Sequence, residues 1–165
     1  MTDPFRLRIL KALTTALEEI NPDNGYSHDM RGKVFRGRDL FGDSDPVPML
    51  CILESVEQTT PLESSQPRGG GESRSYWDLQ IQGFLDDDFD NPTDPAHFLL
   101  AEVKKRLVEE RIRDRQYNIL GMGGRVLEMQ FSPGIVRPAD ELSSKAYFWL
   151  RLTLSVVENL NDPYA

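Results

Sequence analysis

The residues that could support catalysis or metal binding are two histidines, one cysteine and four aspartates that lie close together. Neither His28 nor His97 belongs to an HExxH motif or to a similar ligand spacing, so we predict no general base or metal ligand there. Cys51 is the single cysteine, which excludes an internal disulfide and a cysteine-based zinc site. It lies in the apolar stretch Met-Leu-Cys-Ile-Leu, which predicts a small buried side chain, because a reactive thiolate requires polar, cationic surroundings.

The aspartate run resembles part of a calcium-binding loop. Asp86, Asp88 and Asp90 fit positions one, three and five of the EF-hand pattern. Position six, however, is Asn91 instead of the turn glycine, and position twelve is His97 instead of the bidentate glutamate. We therefore interpret the run as a solvated loop that leads into a helix cap.

Two glycine clusters lack the patterns of phosphate and nucleotide binding. Residues 69–71 lack the lysine and the spacing of a P-loop, and residues 121–124 lack the GxGxxG spacing and the acidic residue that follows it. No GxSxG nucleophile elbow occurs in the sequence. We therefore predict that the chain is not an enzyme, and that it has no catalytic residue, no metal and no cofactor.

The composition predicts one soluble, acidic domain over residues 1–165. Apolar residues make up 39% of the chain and charged residues 28%, which provides for one core. The net charge of −8 argues against general nucleic-acid affinity, which comes mostly from lysine and arginine neutralising phosphates. The longest apolar runs, at residues 49–53 and 146–150, fall far short of the ~20 residues of a membrane span. We expect synthesis in the cytoplasm and no contact with a membrane.

Apolar residues at spacings of three and four predict two amphipathic helices. The first covers residues 4–20 and the second covers residues 93 to about 116, each with a capping residue and a proline at its start. Opposite charges at i,i+4 spacing in the second helix predict ion pairs on a solvated face, a simpler explanation than nucleic-acid contact. The predicted pairs are Lys105–Glu109, Arg106–Glu110 and Glu109–Arg113.

Alternating or continuously apolar segments predict five strands. They cover residues 32–38, 48–54, 76–84, 126–131 and 146–157. The second of these is almost continuously apolar, which indicates a strand buried on both faces. The fold class is therefore predicted to be α+β, with a mixed, largely antiparallel β-sheet of about four to five strands and two main helices packed on it.

Two segments are unusual in length. Residues 57–75 are rich in proline, serine, threonine, glycine and charge, and we predict a long flexible loop that forms an extended hairpin tip between two strands. The last strand, at residues 146–157, spans roughly 40 Å at ~3.3 Å per residue, well beyond the usual strand length. Either it bends sharply, or part of it extends past its own sheet, where an extended edge could pair with a neighbouring subunit.

Arginine and aromatic residues are the candidates for contact with a partner or another subunit, because these types dominate interfaces. Arg36, Arg38 and Phe41 lie in and after the first predicted strand, and Arg68 and Arg74 lie in the long loop. In the alternative interpretation the apolar residues around the first strand enter the core while its arginines stay solvated. The sequence favours neither interpretation.

The order of elements resembles the tail terminator (minor tail) proteins of long-tailed bacteriophages. An amphipathic helix precedes a short strand, an apolar strand, a long polar insertion and a paired strand, and then come an Asp/Pro loop, a helix and a long closing strand. The most specific portion is residues 32–54, with Val-Phe-Arg-Gly-Arg at 34–38 and Pro-Met-Leu at 48–50. The family has no catalytic signature, so the resemblance rests on order and composition over nearly the whole chain.

This resemblance implies a virion structural protein that forms a hexameric ring on the head-proximal end of the tail tube. The ring would stop polymerisation of the tail tube protein and present a surface to the head–tail connector or stopper protein. DNA would pass through the lumen without sequence-specific binding, because an acidic lining repels it. The loop at 57–75 would order on meeting the tube or a neighbour. The alternatives are another neck component, such as a head-completion or connector protein, and a small enzyme.

Overall fold

The described residues form two layers, a six-stranded sheet and two helices that cover one of its faces. The computed structural model describes residues 2–38, 44–58, 71–141 and 143–165. The helices are α1 (Phe5–Glu18) and α2 (Asp94–Arg111). The strands are β1 (Val34–Arg36), β2 (Met49–Glu54), β3 (Glu72–Leu85), β4 (Val126–Phe131), β5 (Ile135–Arg137) and β6 (Ala146–Asn159). The predicted α+β class with a mixed, mainly antiparallel sheet is confirmed, and β5 is a strand that the sequence did not predict.

The strand order of the sheet is β1-β2-β3-β6-β4, and β5 pairs with the same side of β6 as β4 does. The β1–β2 pair is parallel, and the other pairs are antiparallel. One edge of the sheet is β1, which is only three residues long. The other edge is β4, whose register shifts between Val126 and Glu128, as in a β-bulge.

The longest pairing joins β3 and β6 over all 14 residues of each strand, from Glu72 opposite Asn159 to Leu85 opposite Ala146. Of the two alternatives for the last strand, an extension past its own sheet is wrong, because the whole of β6 finds backbone partners in β3. The predicted C-terminal limit of the long loop, residue 75, is also wrong, since residues 72–75 begin β3 and pair with residues 156–159. Residues 59–70 of that loop lie outside the described chain.

Alternate residues of β3 and β6 face the helices and form the core. Leu79 and Leu150 are completely buried there, and Trp77 lies beneath Arg6 of α1, whose guanidinium carbon is 4.8 Å from the ring centre. Because side chains alternate along a strand, every second residue of the same two strands points to the opposite face. Among the described residues, no helix lies on that face.

The apolar strand β2 is buried on both faces along most of its length, as predicted. Leu50 and Ile52 join the core beneath the helices, whereas Met49 and Cys51 are buried on the other face. The Cys51 thiol donates a hydrogen bond to the carbonyl oxygen of Arg38, with the sulfur 2.9 Å from that oxygen. The interpretation of Cys51 as a small buried side chain is confirmed.

The limits of the helices differ from the prediction mainly at the C-terminal end of α2. α1 agrees with the prediction to within two residues, but α2 ends at Arg111 instead of near residue 116. Asp114 and Arg115 adopt left-handed φ angles of 48° and 57°, which stop the helix. No side chain caps the start of either helix, contrary to the prediction. None of the helices in the described ranges has the length and apolar content to cross a membrane.

The ion pairs of α2 are partly buried, which corrects the predicted solvated face. The guanidinium group of Arg106, a residue only 8% exposed, donates to the Ala16 carbonyl at 2.8 Å. It also donates to the carboxylates of Glu110 at 2.9 Å and Glu19 at 2.6 Å. Of the predicted pairs only Arg106–Glu110 appears among these contacts, and Arg113 binds Glu110 instead of Glu109. A buried guanidinium group requires such partners, so Arg106 fixes α2 against α1.

Replacement of Gly83 tests the close contact with Phe148 near the Leu85–Ala146 end of the β3–β6 pair. A Cβ atom at this position would lie 2.2 Å from Cε1 of Phe148, whose side chain is completely buried. We expect Gly83→Ala to destabilise the protein by about 1–3 kcal/mol, as overpacking does, and to lower the midpoint of urea unfolding. Gly124→Ala is the matched control, because an added Cβ there meets no atom within 4 Å. Equal midpoints for the two variants would contradict the close contact.

Candidate functional site: the open face of the sheet

The sheet face without helices carries a row of aromatic side chains. Phe84, Tyr147 and Trp149 stack with ring centres 6.2 Å and 5.7 Å apart. Phe84 lies directly opposite Tyr147 in the β3–β6 register, and Trp149 is two residues further along β6. The row therefore crosses the central strands. Phe84 is buried, whereas Tyr147 and Trp149 are partly exposed, so these two stacked rings are the part of the row that a partner could contact.

A cleft of about 450 Å³ opens beside this row. Its walls include Trp149 and Arg151 of β6 and Ile135 of β5. The cleft forms because β4 ends at Phe131, and the chain then turns at Gly134, with a φ of 85°, before Ile135 pairs with Trp149. A glycine suits this turn because it adopts positive φ without steric strain. We call this concave region the open-face cleft.

Two arginines give the surroundings of the open-face cleft positive charge. Arg151 and Arg137 are both exposed, and Arg137 lies opposite Tyr147 in the β5–β6 register. The Tyr147 hydroxyl donates a hydrogen bond to the Asp140 carboxylate at 2.8 Å. Desolvation and this neighbouring carboxylate raise the pKa of Tyr147 above its usual value. The phenol is therefore a neutral donor at neutral pH.

A buried carboxylate stands on the same face, further along β3. Asp78 is completely buried, and its Oδ1 accepts a hydrogen bond from the Thr153 hydroxyl at 2.5 Å. The side chain of Gln58 bonds both backbone groups of Asp78, at 2.9 Å to the N–H and 3.1 Å to the carbonyl. The start of the segment after β2 is thereby fixed to the central strands, and it borders the open face.

The residues predicted to contact a partner fall into two groups. Arg36, Arg38 and Arg74 belong to the described chain, whereas Phe41 and Arg68 lie outside the described residues.

Arg36 and Arg38 lie at the β1 edge of the sheet. The Arg36 guanidinium group donates to the Thr14 hydroxyl of α1 at 2.7 Å, so it belongs to the face that the helices cover. Arg38 forms an ion pair with Asp45 at 2.7 Å, and its guanidinium carbon lies 4.8 Å from the ring centre of Phe35. Both arginines therefore have structural partners, and a role in binding a further protein stays a prediction.

Arg74 lies far from that edge. It is an exposed residue of β3 on the open face, near the start of the strand. Arg36 is level with Ile52 of β2 and, through it, with Ile81 of β3. Arg74 and Ile81 are seven positions apart along the strand, which is about 23 Å at ~3.3 Å per residue. Those of the predicted arginines that the structure describes consequently do not form one site.

A histidine–carboxylate pair occurs in the helix layer. His28 Nδ1 lies 2.7 Å from Oε2 of Glu102 in α2. The same carboxylate accepts the backbone N–H groups of Ser27 at 2.6 Å and His28 at 3.2 Å. Partial burial acts to raise the pKa of Glu102, but these three hydrogen bonds outweigh it and lower that pKa. The contacts fasten the chain between α1 and β1 to α2, which explains the pair without catalysis; His97 is exposed on α2.

The aspartate loop, residues 86–91, is closed by hydrogen bonds to its own backbone. The Asp88 carboxylate accepts the N–H groups of Asp90 at 3.0 Å and Asn91 at 2.8 Å. Asp86 forms an ion pair with Lys145 at 2.6 Å. Across the part of the chain that the structure describes, no three His, Cys, Asp or Glu side chains converge to hold a metal ion.

The residues that line the open-face cleft were not among those predicted to contact a partner, although the sequence carries a signal for two of them. Alternation in residues 146–157 places Trp149 and Arg151 out of phase with the core residues of the same strand. A partly exposed tryptophan beside an arginine is typical of an interface. Ile135 and Arg137 had no comparable signal, because β5 is only three residues long and follows a proline–glycine turn.

The fold is a two-layer α+β domain in which no helix of the described residues covers the second face of the sheet, although Met49, Cys51 and Asp78 are buried there. The sequence matches no protein-family model, and a comparison with curated proteins finds no match. The resemblance to tail terminators therefore stays an expectation, and the function rests on the argument from the surface.

Replacement of Glu102 by glutamine tests the anchor between α2 and the chain before β1. Because the folded pKa of Glu102 lies below its usual 4.5, the charged carboxylate stabilises the fold above that pH. This stabilisation is lost as the pH falls through the folded pKa. We expect Glu102→Gln to lower the melting temperature by about 2–6 °C near pH 7, and the difference should shrink below about pH 4.5.

The measurement is thermal unfolding, followed by circular dichroism over this pH range. Glu141→Gln is the control, because Glu141 is an exposed carboxylate far from α2 in the sequence. A difference that stays constant with pH would contradict a charged Glu102 as the anchor.

Proposed function

We propose that this chain is a tail terminator of a long-tailed bacteriophage, a structural subunit that caps the tail tube at its head-proximal end. The observation that carries the proposal is the open face of the sheet. Helices cover one face, and the other carries the aromatic row and the arginine-flanked cleft. Tryptophan, tyrosine and arginine are the residues that contribute most binding energy in protein interfaces. A subunit of an assembly requires such a surface.

The order of the elements gives the proposal a second support. The resemblance depends on a helix, two short strands, a paired strand, a second helix and a long closing strand. The fold has α1, β1, β2, β3, α2 and β6 in that order. The parallel β1–β2 pair comes from the portion of the sequence that resembles the family most specifically.

In the proposed ring, six copies contact one another head to tail, and each uses two different surfaces. One rim of the ring would bind the tail tube protein, and the other would bind the head–tail connector or stopper protein. The net charge of −8 supports passage of DNA through the lumen, because acidic side chains repel phosphates. The protein would be made in the host cytoplasm and incorporated into the virion.

Another neck component, such as a head-completion or connector protein, is the nearest alternative. Such a protein would need the same kind of contact surface, so the open face supports this alternative as much as it supports a terminator. The two roles differ in what happens to the tail tube. A terminator ends tube growth, whereas a joining protein acts on tubes that are already finished.

Particles assembled with and without this protein distinguish these roles by electron microscopy. Without a terminator the tube subunits continue to add, so we expect overlong tails that fail to join heads. The control is the same preparation complemented with the wild-type protein, which should restore normal tail length. Free tails of normal length would assign the protein to head joining instead, and unaltered particles would overturn a role in the neck.

A further inference from the structure

Two exposed features of different character lie at different places on the molecule. One is the open-face cleft on the sheet. The other is the tip of the aspartate loop, which connects the end of β3 to the start of α2. The first is concave, apolar and flanked by arginines, and the second is convex, aromatic and flanked by aspartates.

The concave feature has the size and lining of a site for an aromatic side chain. Its volume of about 450 Å³ lies within the range of ordinary ligand pockets. Trp149 and Ile135 are cross-strand neighbours in the β5–β6 register, and Ile135 is 51% exposed. Burial of these two side chains by a partner would remove apolar surface from water, which favours association.

The convex feature is Phe89, at the tip of the aspartate loop. Phe89 is 98% exposed, so it does not occupy the cleft of its own molecule. The bonds from Asp90 and Asn91 to the Asp88 carboxylate close the turn around it. A turn that is already closed loses little conformational freedom on binding, which favours its use as an anchor.

The charges around the two features are opposite. Asp87 and Asp90 are exposed beside Phe89, while Asp86 is paired with Lys145. Arg137 and Arg151 are exposed beside the cleft, and nearby Asp140 accepts the Tyr147 hydroxyl. Opposite charges at the rim of an interface accelerate encounter and fix the relative orientation of the partners.

We propose that the partner of the open-face cleft is a second copy of this chain. Phe89 of one copy enters the cleft of the next and packs against Trp149 and Ile135, which line it, and the aspartates of the loop face the arginines of the cleft. This contact deepens the proposed function and rests on it for the number of subunits. The match of shape and charge is independent of that function.

A contact between two unlike surfaces determines the symmetry of the assembly. The loop of each copy enters its neighbour, which leaves one free loop and one free cleft at the ends of any open chain of subunits. Such a head-to-tail contact adds copies until a ring closes, where the rotation between neighbours permits closure, as the proposed function requires. A single-stranded nucleic acid could also stack on aromatic residues, but the net charge of −8 opposes it.

Two charge-reversed variants test the contact when they are studied separately and mixed. The loop variant carries Asp87→Arg and Asp90→Arg, and the cleft variant carries Arg137→Glu and Arg151→Glu. All four side chains are exposed, so the fold should be retained. Each variant alone presents like charges across the contact. In the mixture, alternating copies have opposite charges at every contact: half of the contacts keep the wild-type polarity, and half have it reversed.

We expect sedimentation equilibrium to show wild-type association that increases with concentration. Each variant alone should associate about a hundredfold more weakly, and the equimolar mixture should recover to within about tenfold of wild type. Phe89→Ala should weaken association by about tenfold or more, because it removes the anchor. Tyr117→Ala and Arg115→Glu are matched controls: Tyr117 is 78% exposed, and both residues lie beyond the far end of α2.

Three results would overturn the contact. In the first, the wild-type protein keeps the mass of a single chain up to about millimolar concentration. In the second, the variants associate as strongly as wild type, and in the third, the mixture of the two variants stays dissociated. Tight binding of a single-stranded oligonucleotide that Arg151→Glu abolishes, without self-association, would assign the cleft to nucleic acid instead.

The contact and the tail-terminator role can fail separately. Overlong tails in particles without the protein, together with a mixture that stays dissociated, would reject the contact and retain the role. Recovered association in the mixture, together with unaltered particles, would retain the contact and reject the role.

Discussion

The structure depends on the continuous pairing of β3 with β6. Because side chains alternate along each strand, the register of these 14 residue pairs decides both what enters the core and what appears on the open face. A shift of one residue would exchange Leu150 for Trp149 and would place an arginine beneath the helices. The same register brings Gly83 against Phe148, so the core accepts an aromatic ring only in this alignment. Core packing and the contact surface are therefore set by one constraint.

The helix layer is held by a different kind of interaction. The two helices contribute apolar residues to the shared core, but Arg106 bonds a backbone carbonyl and two carboxylates at the place where they meet. Apolar packing tolerates small sliding motions, whereas a guanidinium group with fixed acceptors does not. The buried ion pairs consequently specify how α2 lies on α1, and the apolar contacts supply most of the stabilisation.

Sequence reasoning reached the class of the fold and most of its elements, because the alternation in the strands and the spacing in the helices are local signals. It began β3 too late since Glu72 and Arg74 are polar, and their place in the sheet depends on a strand more than 70 residues later, which residue types alone do not reveal. Burial of Arg106 likewise depends on acceptors in α1. The open-face cleft was predictable in part, through the phase of Trp149 and Arg151. Its other wall was not, because a three-residue strand has too few positions to show a period.

Both borders of the sheet are poor templates for a further strand. At one side β1 offers only three residues, and at the other the bulge in β4 interrupts the regular spacing of backbone donors and acceptors. Exposed regular borders are where sheets of separate molecules join and grow into amyloid-like fibrils. Short and interrupted borders therefore protect the chain from stacking without limit at high concentration. The proposed contact between copies uses side chains, which can be matched to a single neighbour, and not the backbone, which any extended peptide could imitate.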